Sequence, residues 1–384
     1  VEPGELILLT GESGCGKTTI IKLINGLLQH GGNGKLEGTV TVAGQEVSRT
    51  PLWELAETVG SVFQNPKSQF FNLDTTSEVL FGLESQGASH QKMEQALSSA
   101  AHVCGVGSLL DRNIFALSGG EKQRIACASA YAMGPEIFVL DEPSSNLDPE
   151  GICQLREVLK QLKAAGKTVL VAEHRLWYAA DLADRVFYLR EGRLERMYPG
   201  AEFLALPDEK RRAMGLRSLT EVPLPEPKLT PDETEKGLLV RGLRASYDRM
   251  AVWDQVSFTA PRGVITAITG HNGAGKTTLA RCLCGLMKEK AGTILWDGKM
   301  LNRKSRRQKS FLIMQDVNLQ LFGESTLAEA QLGNEATEVE TMAALERMDL
   351  ARYAQAHPLA LSGGQKQRLA IVDGCLSGKE LLIF

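Results

Sequence analysis

The sequence lacks long apolar runs and an excess of either charge. No uncharged apolar stretch approaches the roughly 20 residues that a membrane-spanning helix requires. The 43 Lys and Arg residues nearly balance the 46 Asp and Glu residues, and the formal net charge of the 384-residue chain is −3. Such a chain has no overall electrostatic attraction to nucleic acid or to an anionic membrane. We therefore expect any role at a membrane to be peripheral and to depend on a partner protein.

Paired cysteines are also lacking. The 7 cysteines are scattered and form no CxxC pair, which is typical of small buried residues in a reducing cytosol. The first residues do not have the pattern of a secretory signal peptide. The sequence starts almost inside a strand and stops within the apolar run 381–384, so we expect it to be a fragment of a longer protein.

A glycine-rich loop, GESGCGKT, is the strongest local pattern in the chain. An apolar run at 6–9 precedes it, and apolar residues spaced three and four apart follow it, so the pattern predicts strand, loop and helix in succession. In that context G-x-x-x-x-G-K-[ST] predicts a phosphate site, because glycines let the backbone approach a phosphate and the helix N-terminus favours an anion. Lys17 would contact the β- and γ-phosphates, and the Thr18 hydroxyl would ligate Mg²⁺. The residues expected to bind nucleotide are Gly11, Glu12, Ser13, Gly14, Cys15, Gly16, Lys17, Thr18 and Thr19.

The chain contains a second copy of this pattern, GHNGAGKT, and with it a long internal repeat. Two further motifs recur in the same order. One is a Gln after a short apolar strand, at Gln64 and Gln315, and the other is the tract LSGG, whose Ser is Ser118 in the first copy and Ser362 in the second. The spacing between the copies shrinks along the chain, so the second copy has shorter loops. The second set of expected nucleotide contacts is Gly270, His271, Asn272, Gly273, Ala274, Gly275, Lys276, Thr277 and Thr278.

The order of predicted elements indicates an α/β protein with two tandem domains. Each domain is expected to have a mainly parallel sheet core, an antiparallel β part and a helical subdomain. We predict a first domain at 1–198 that lacks its N-terminal strand, a proline- and charge-rich linker at 199–236, and a second domain at 237–384 that lacks its C-terminal part.

Several polar residues are expected at the ends of parallel strands, where ligands bind in such sheets. Asp141 ends an apolar strand and could serve the metal, and Glu142 could be the general base that activates water. Gln64 and Gln315 could reach a metal or its water, and His174 could contact a γ-phosphate. The alternatives are a solvated acidic turn for the Asp-Glu pair, ordinary loop residues for the glutamines, and a strand-end residue for the histidine.

The two LSGG tracts predict helix starts with anion-binding capacity. Each offers free N–H groups and the positive end of a helix dipole. The alternative is a helix cap with a flexible lead-in, which explains one copy better than two. The residues concerned are Ser118, Gly119 and Gly120 in the first copy and Ser362, Gly363 and Gly364 in the second.

The order of these motifs resembles that of the ATP-binding cassette (ABC) ATPases, a P-loop NTPase family, over nearly the whole chain. The motifs are the phosphate loop, the strand-end Gln, the LSGG tract, an apolar strand ending in Asp-Glu, the tract SNLD (145–148) and the His. The resemblance implies ATP and Mg²⁺ as cofactors and two ATP molecules held between the halves. Each ATP would lie between the phosphate loop of one half and the LSGG turn of the other. Tyr247 matches the family's adenine-stacking aromatic. The implied metal ligands are Thr18, Gln64, Asp141, Thr277 and Gln315. The sequence contains no Asp-Glu pair, SNLD loop or histidine that would correspond to these motifs in the second copy.

The segments after Gln64 and Gln315 are similar to those of the fused ATPase of energy-coupling-factor importers, which take up vitamins or transition-metal ions through separate membrane proteins. This resemblance implies two integral-membrane partners, a transmembrane coupling protein and a substrate-binding protein, and a place at the cytoplasmic face of the membrane. It also implies that Phe71 and Phe322 line the groove where coupling helices dock; the alternative for both is packing inside the helical subdomain.

Three rival functions are open to test. A soluble tandem ABC ATPase acting on ribosomes or nucleic acid predicts a long basic linker or arm, whereas residues 199–236 mix acids, bases and prolines. A tandem sugar-importer ATPase fits less well with the paired segments after Gln64 and Gln315. A plain P-loop kinase or GTPase would not need two LSGG turns.

Overall fold

The apolar run before the first glycine-rich loop forms a central strand in the computed structural model, which describes residues 1–31, 35–220, 236–247 and 250–384. The chain divides into two units, Val1–Leu224 and Pro225–Phe384. The strands of the first unit are β1 (Leu6–Gly11), β2 (Thr41–Val42), β3 (Gln45–Glu46), β4 (Val59–Val62), β5 (Ile137–Asp141), β6 (Thr168–Ala172), β7 (Arg185–Arg190) and β8 (Arg193–Pro199).

The helices of the first unit alternate with these strands, as the sequence predicts. They are α1 (Lys17–Ile24), α2 (Leu27–Gly31), α3 (Leu52–Thr58), α4 (Thr75–Ser85), α5 (His90–Val103), α6 (Gly119–Ala132), α7 (Pro149–Ala164), α8 (Gly200–Leu204) and α9 (Asp208–Ala213). Short 3₁₀ turns lie at Pro66–Ser68, Gly107–Leu109, Ile114–Ala116 and Leu176–Tyr178. None of the helices in the described ranges combines the length and apolarity that crossing a bilayer requires.

β1 lies inside a six-stranded sheet with the order β4-β5-β6-β1-β7-β8. The strands β4, β5, β6, β1 and β7 are parallel, and β8 returns antiparallel beside β7. Alternate residues of β1 enter different cores, Leu6 and Leu8 on one face and Ile7 and Leu9 on the other. An unbroken apolar strand is therefore explained by a parallel sheet that is covered on both faces.

The predicted helical subdomain lies between β4 and β5, where α4 and α5 pack against α6. α6 begins at the predicted Ser118, whose Oγ accepts a hydrogen bond from the N–H of Glu121 at 3.3 Å. The N–H of Ser118 in turn donates to Glu121 Oε2 at 2.8 Å. This reciprocal capping satisfies two N–H groups that a helix start leaves without partners.

The first unit extends further along the chain than the sequence predicts. The predicted linker starts at residue 199, but residues 200–220 fold onto the first unit and include α8 and α9. Phe203 is fully buried in the core beneath the sheet, and its ring contacts that of Tyr198. The proline and charge content of this stretch is typical of a linker, so the sequence did not indicate that its apolar residues are buried. Residues 221–235 of the predicted linker lie outside the described ranges.

The second unit contains an antiparallel sheet and a parallel pair of strands. The strands are β9 (Gly237–Tyr247), β10 (Met250–Pro261), β11 (Ala291–Trp296), β12 (Lys299–Met300), β13 (Ser310–Leu312) and β14 (Leu381–Ile383). The helices are α10 (Lys276–Leu283), α11 (Arg303–Lys309), α12 (Thr326–Ala330), α13 (Glu338–Arg347) and α14 (Gly363–Leu376), with 3₁₀ turns at Val317–Leu319, Ala351–Tyr353 and Pro358–Ala360. The antiparallel order is β10-β9-β11-β12, and β13 pairs in parallel with β14.

Residues 264–270, which precede the second glycine-rich loop, carry no strand ladder, unlike β1. In the first unit β1 is held between β6 and β7, and both follow Leu140 in the chain. Phe384, the last residue of the sequence, is the counterpart of Leu140 in the repeat. The described part of the second unit therefore has no strand to flank 264–270, and Ile265 is 98% exposed.

Candidate functional site

The first glycine-rich loop holds the head of the Lys17 side chain at the start of α1. Lys17 is 4% exposed, and its Nζ donates to the carbonyl oxygens of Gly11 and Glu12 at 3.1 Å each. Gly11 has a φ of 148°, and a Cβ atom there would lie 2.1 Å from the carbonyl oxygen of Leu189, so only glycine fits. The loop thus places an ammonium group at a helix N-terminus, where N–H groups and the helix dipole favour a phosphate.

The other side chains reach this loop because neighbouring parallel strands end beside it. β4, β5, β6 and β1 are adjacent, and the register pairs Asp141, the last residue of β5, with Ala172, the last residue of β6. Gln64 follows β4, Glu142 follows β5 and His174 follows β6. Because carboxyl ends of parallel strands share one edge, side chains more than 150 positions apart in sequence meet at one site.

Thr18 and Asp141 form the part of this site that suits a metal ion. The Thr18 hydroxyl donates to Asp141 Oδ1 at 3.0 Å. Burial raises the pKa of Asp141, the hydrogen bond from Thr18 opposes that rise, and the nearby Glu142 carboxylate adds to it. A cation beside these oxygens would offset the cost of keeping a buried carboxylate ionised.

Mg²⁺ fits this donor set better than a metal that needs a full protein cage. It takes oxygen ligands, keeps several waters and is bound through one or two carboxylates and the phosphates of its substrate. The described ranges contain no group of three or more His, Cys, Asp or Glu side chains able to hold a metal. The Thr18 hydroxyl and the Asp141 carboxylate, which meet in the structure, would therefore hold Mg²⁺. The Gln64 amide oxygen stays a predicted ligand.

Glu142 lies where Gln64 and His174 meet. One carboxylate oxygen, Oε1, lies 3.2 Å from His174 Nε2, and the other accepts a hydrogen bond from Gln64 Nε2 at 3.0 Å. Glu142 has a φ of 43°, a strained conformation for a non-glycine residue of the kind that concentrates at functional sites. The hydrogen bond from His174 is the main reason that the pKa of Glu142 is lowered, with burial opposing it. The carboxylate is therefore kept ionised, which is the unprotonated form that a general base requires.

Replacing His174 by Ala is expected to raise the pKa of Glu142 toward its ordinary value of 4.5. Because the folded-state pKa lies below the unfolded-state value, ionised Glu142 contributes stability above the unfolded pKa, and this contribution is lost as pH falls through the folded pKa. His174→Ala should therefore lower the free energy of unfolding above about pH 5, and the loss should shrink as the pH falls from about 5 toward 3. Denaturant unfolding at a series of pH values measures this. His102→Ala, at an exposed histidine of α5, is the control; an equal loss for His174→Ala at every pH would contradict the pairing.

The second glycine-rich loop repeats the geometry of the first. Lys276 Nζ donates to the carbonyl oxygens of Gly270 and His271 at 2.6 and 2.8 Å. The φ angles of Gly270, Gly273 and Gly275 are 150°, 85° and 88°, against 148°, 81° and 103° at the corresponding glycines of the first loop. Since no strand ladder precedes this copy, the loop conformation follows from its local sequence.

Both LSGG turns form helix N-termini. Ser362 caps α14 as Ser118 caps α6: the N–H of Ser362 donates to Gln365 Oε1 at 2.8 Å, and the N–H of Gln365 donates to Ser362 Oγ at 3.4 Å. The predicted helix starts are confirmed. The glycines Gly119, Gly120, Gly363 and Gly364 form the first turns of α6 and α14. Their binding of a nucleotide stays a prediction.

The remaining predicted contacts are mostly open to solvent. Gln315 follows β13 and is exposed, and Cys15 and Thr278 are buried. The side chain of Tyr247 lies outside the part of the chain that the structure describes, so its predicted contact with adenine is not tested. The exposed residues of the two glycine-rich loops and of the helix starts that follow them are Glu12, Ser13, Gly14, Thr19, His271, Asn272, Gly273, Ala274 and Thr277.

Comparison with known families decides which class of phosphate-binding protein this is. The family model described as ABC transporter matches residues 1–145 and 253–384, which is most of the chain. The chain belongs to the ABC transporter family. The match in two segments confirms the predicted fold class of tandem ABC-type domains, and family membership confirms the predicted ATPase activity with ATP and Mg²⁺.

Relatives in this ABC family cover the whole chain. A Treponema denticola protein named as an ABC transporter ATP-binding protein is 44% identical and spans 100% of this chain and 80% of its own length. A Methanosarcina acetivorans protein of the same description is 33% identical and spans 100% of this chain and 72% of its own length. Among solved structures the chain is similar to cbiO1 from Clostridium perfringens, part of the ABC transporter complex cbiONQ, with 29% identity and a TM-score of 0.50 over 56% of this chain and 85% of that one.

Two groups at this ABC-type site are not among the predicted site residues, although Asn146 belongs to the SNLD tract. Asn146 Nδ2 donates to the backbone carbonyl of Gln64 at 3.4 Å. Glu173 is 2% exposed and accepts hydrogen bonds from residues on both sides of the site. A lone Glu before His174 carries no motif, because its importance depends on which backbone N–H groups the fold brings to it.

Proposed function

We propose that this chain is the ATP-hydrolysing, energy-coupling subunit of a membrane import complex of the energy-coupling-factor type, for a vitamin or a transition-metal ion. Membrane passage would belong to integral-membrane partners, a coupling protein and a substrate-binding protein, with this chain at the cytoplasmic face. The likeness to cbiO1, part of an ABC transporter complex, supports this class of assembly.

The observation that carries the proposal is a pair of exposed phenylalanines at equivalent places in the two copies. Phe71 is 75% exposed and Phe322 is 74% exposed, which argues against packing inside the helical subdomain. Phe71 stacks on Phe81, with ring centroids 5.1 Å apart. Large exposed aromatic side chains mark protein–protein contact sites when they lie in an apolar patch. Phe71 has such surroundings, since Leu73 is 68% exposed.

Each phenylalanine lies on a turn that a buried glutamate holds in place. Glu78 Oε2 accepts the N–H groups of Phe71 and Asn72 at 2.9 and 2.8 Å. Glu329 Oε2 accepts the N–H of Phe322 at 2.6 Å and also that of Gly323. Two diverged copies keep the same bonding while exposing the aromatic ring, which fits a surface preorganised for a partner.

In the proposed cycle the first site uses side chains that meet in the structure. Lys17 would bind the β- and γ-phosphates, Glu142 would accept a proton from the attacking water, and His174 would contact the γ-phosphate. Gln64, which bonds to Glu142, would link the metal side of the site to the segment carrying Phe71. Mg²⁺, when bound, neutralises charge on the phosphates.

We propose further that each nucleotide is bound by both domains, which are predicted at 1–198 and 237–384. The loop of Lys17 would face residues 362–364, and the loop of Lys276 would face residues 118–120. ATP binding would close the two domains, and loss of the bridging γ-phosphate would release them. This motion is what a docked membrane protein could follow.

Replacing both Phe71 and Phe322 by Ala is expected to uncouple the protein from its partners. An aromatic anchor at the centre of an interface typically contributes about 2 kcal/mol or more, so losing two should abolish co-purification with polytopic membrane proteins. ATP binding and basal hydrolysis should remain, because neither ring touches the Lys17 or Lys276 loop in the described contacts. Affinity purification from native membranes, with ATPase assays on the same samples, measures both.

Trp53→Ala is the matched control, since Trp53 is an aromatic residue of α3 that is 69% exposed. It should leave both membrane association and hydrolysis unchanged. Co-purification of ribosomes or nucleic acid instead of membrane proteins would favour the soluble tandem ATPase. Undiminished membrane association and import by the double variant would overturn the role of the two phenylalanines.

A further inference from the structure

Glu173 is a buried carboxylate on which four hydrogen-bond donors converge. It is 2% exposed and lies directly before His174 in the chain. Its Oε1 accepts the N–H groups of His174 and Arg175 at 2.7 and 3.0 Å. Its Oε2 accepts the N–H of Ser144 at 3.3 Å and the hydroxyl of Tyr178 at 3.0 Å. All four partners donate, so an acceptor-only group is the side chain that satisfies them.

These donors come from two separate segments. His174, Arg175 and Tyr178 belong to the turn after β6, whereas Ser144 belongs to the loop that follows Glu142. The Arg175 side chain reinforces the link, because its Nη1 donates to the carbonyl oxygens of Ser144 and Leu147 at 3.2 and 3.3 Å. The histidine turn (residues 173–178) and the loop 143–148 are thus joined twice, because Glu173 accepts a hydrogen bond from the loop and Arg175 donates hydrogen bonds to it.

The position of His174 relative to Glu142 depends on this junction. The His174 Nε2 atom lies 3.2 Å from Glu142 Oε1, and the backbone N–H that Glu173 accepts belongs to the same histidine. On the other side, the N–H of Glu173 donates to the carbonyl of Leu9 in β1 at 3.0 Å, which ties its backbone to the strand of the phosphate loop. A side chain held by the sheet therefore orients the imidazole.

We propose that Glu173 is a positioning residue that sets His174 against Glu142 and makes the histidine turn and the loop 143–148 move as one body. It touches neither phosphate nor water in this role and acts through His174. The inference rests on the proposed roles of Glu142 and His174. As a consequence of this junction, a displacement of His174 by the γ-phosphate would move the loop 143–148 with it.

Glu173→Gln tests whether the carboxylate is needed as an acceptor, because it changes the hydrogen-bonding groups and nearly preserves the volume of the side chain. A glutamine has one acceptor oxygen and one NH₂ group, so two of the four donors would face another donor. The expected result in the intact protein is a fall in kcat of about tenfold or more, with the KM for ATP changed less than about twofold, because Lys17 and Thr18 keep their contacts. Glu157→Gln, at a largely exposed glutamate of α7, is the control and should leave both constants unchanged.

A double-mutant cycle separates positioning from general support of the fold. If Glu173 acts through His174, then Glu173→Gln should cost less than about twofold in kcat once His174 is already Ala. Tyr178→Phe removes a single donor and keeps the buried ring, so it should have a smaller effect than Glu173→Gln in the same assay. Should Glu173→Gln fail to fold, the Tyr178→Phe and His174→Ala cycle carries the same test.

The outcomes distinguish the inference from the function on which it rests. An unchanged kcat for Glu173→Gln, or an equal fall in both histidine backgrounds, would overturn the positioning role while leaving His174 and Glu142 in place. Full activity of His174→Ala itself would overturn the proposed role of the histidine, and the inference with it.

Discussion

Replacing Glu142 by Gln is expected to slow ATP hydrolysis at the first site by about 10²–10⁴-fold while preserving ATP binding. The amide keeps the size of the side chain but cannot accept the proton of the attacking water. Lys17 and Thr18, which would contact the phosphates and the metal, bond to other groups and stay in place. Steady-state hydrolysis and equilibrium ATP binding on the intact protein measure the two quantities separately.

The loss of hydrolysis leads to a second expected result. Without hydrolysis the ATP-bound form should accumulate, so the variant should trap nucleotide for longer than the unaltered protein. Glu136→Gln is the matched control, because Glu136 is exposed at the opposite end of β5. If Glu142→Gln hydrolysed ATP at the normal rate, with the second site silenced by Lys276→Ala, Glu142 would not be the base.

Replacing Ser362 by Arg is expected to reduce hydrolysis at the first site by about 100-fold or more, as the loss of a preorganised charge-stabilising group does. In the proposed pairing, residues 362–364 of α14 complete the site of Lys17, and a large cationic side chain at the helix start would block that approach. Ser362 caps its helix by itself and lies far along the chain from Glu142, so no local effect on the base is expected.

Non-additivity identifies which site is affected. Because Ser362→Arg and Glu142→Gln would disable the same site, the second change should add little to the first in a double-mutant cycle. Ser118→Arg is the matched variant, since Ser118 caps α6 in the same way but would face the loop of Lys276. It should be additive with Glu142→Gln. The reverse pattern would show that each loop pairs with the LSGG turn of its own copy.

The glycine-rich loops and the helix starts are properties of local sequence. Gly270, Gly273 and Gly275 adopt nearly the same φ angles as the glycines of the first loop, although the strand that should precede them has no ladder. Positive φ angles and reciprocal caps involve atoms only a few residues apart, so short patterns predict them well. The strand-end positions of Gln64 and Glu142 were also predictable, because periodicity indicates parallel strands and parallel strands share an edge.

The tertiary structure alone decided what surrounds those positions. The bonds of Glu142 to Gln64 and His174 and the strained φ of Glu142 depend on the order in which the strands lie in the sheet. The sequence also does not show which phenylalanines are buried. Phe71 is exposed, whereas Phe203, in a stretch with the composition of a linker, is fully buried.

The sequence was enough to predict the family, the two phosphate loops and the strand-end side chains, because each depends on contacts within short segments or on a repeat. It could not reveal Glu173, whose four donors come from the histidine turn and from the loop after Glu142. Those segments lie about thirty residues apart and meet only because β5 and β6 are neighbours in the sheet. Long-range neighbourhood is a property of the folded chain, and it is what turns an unremarkable glutamate into the group that orients His174.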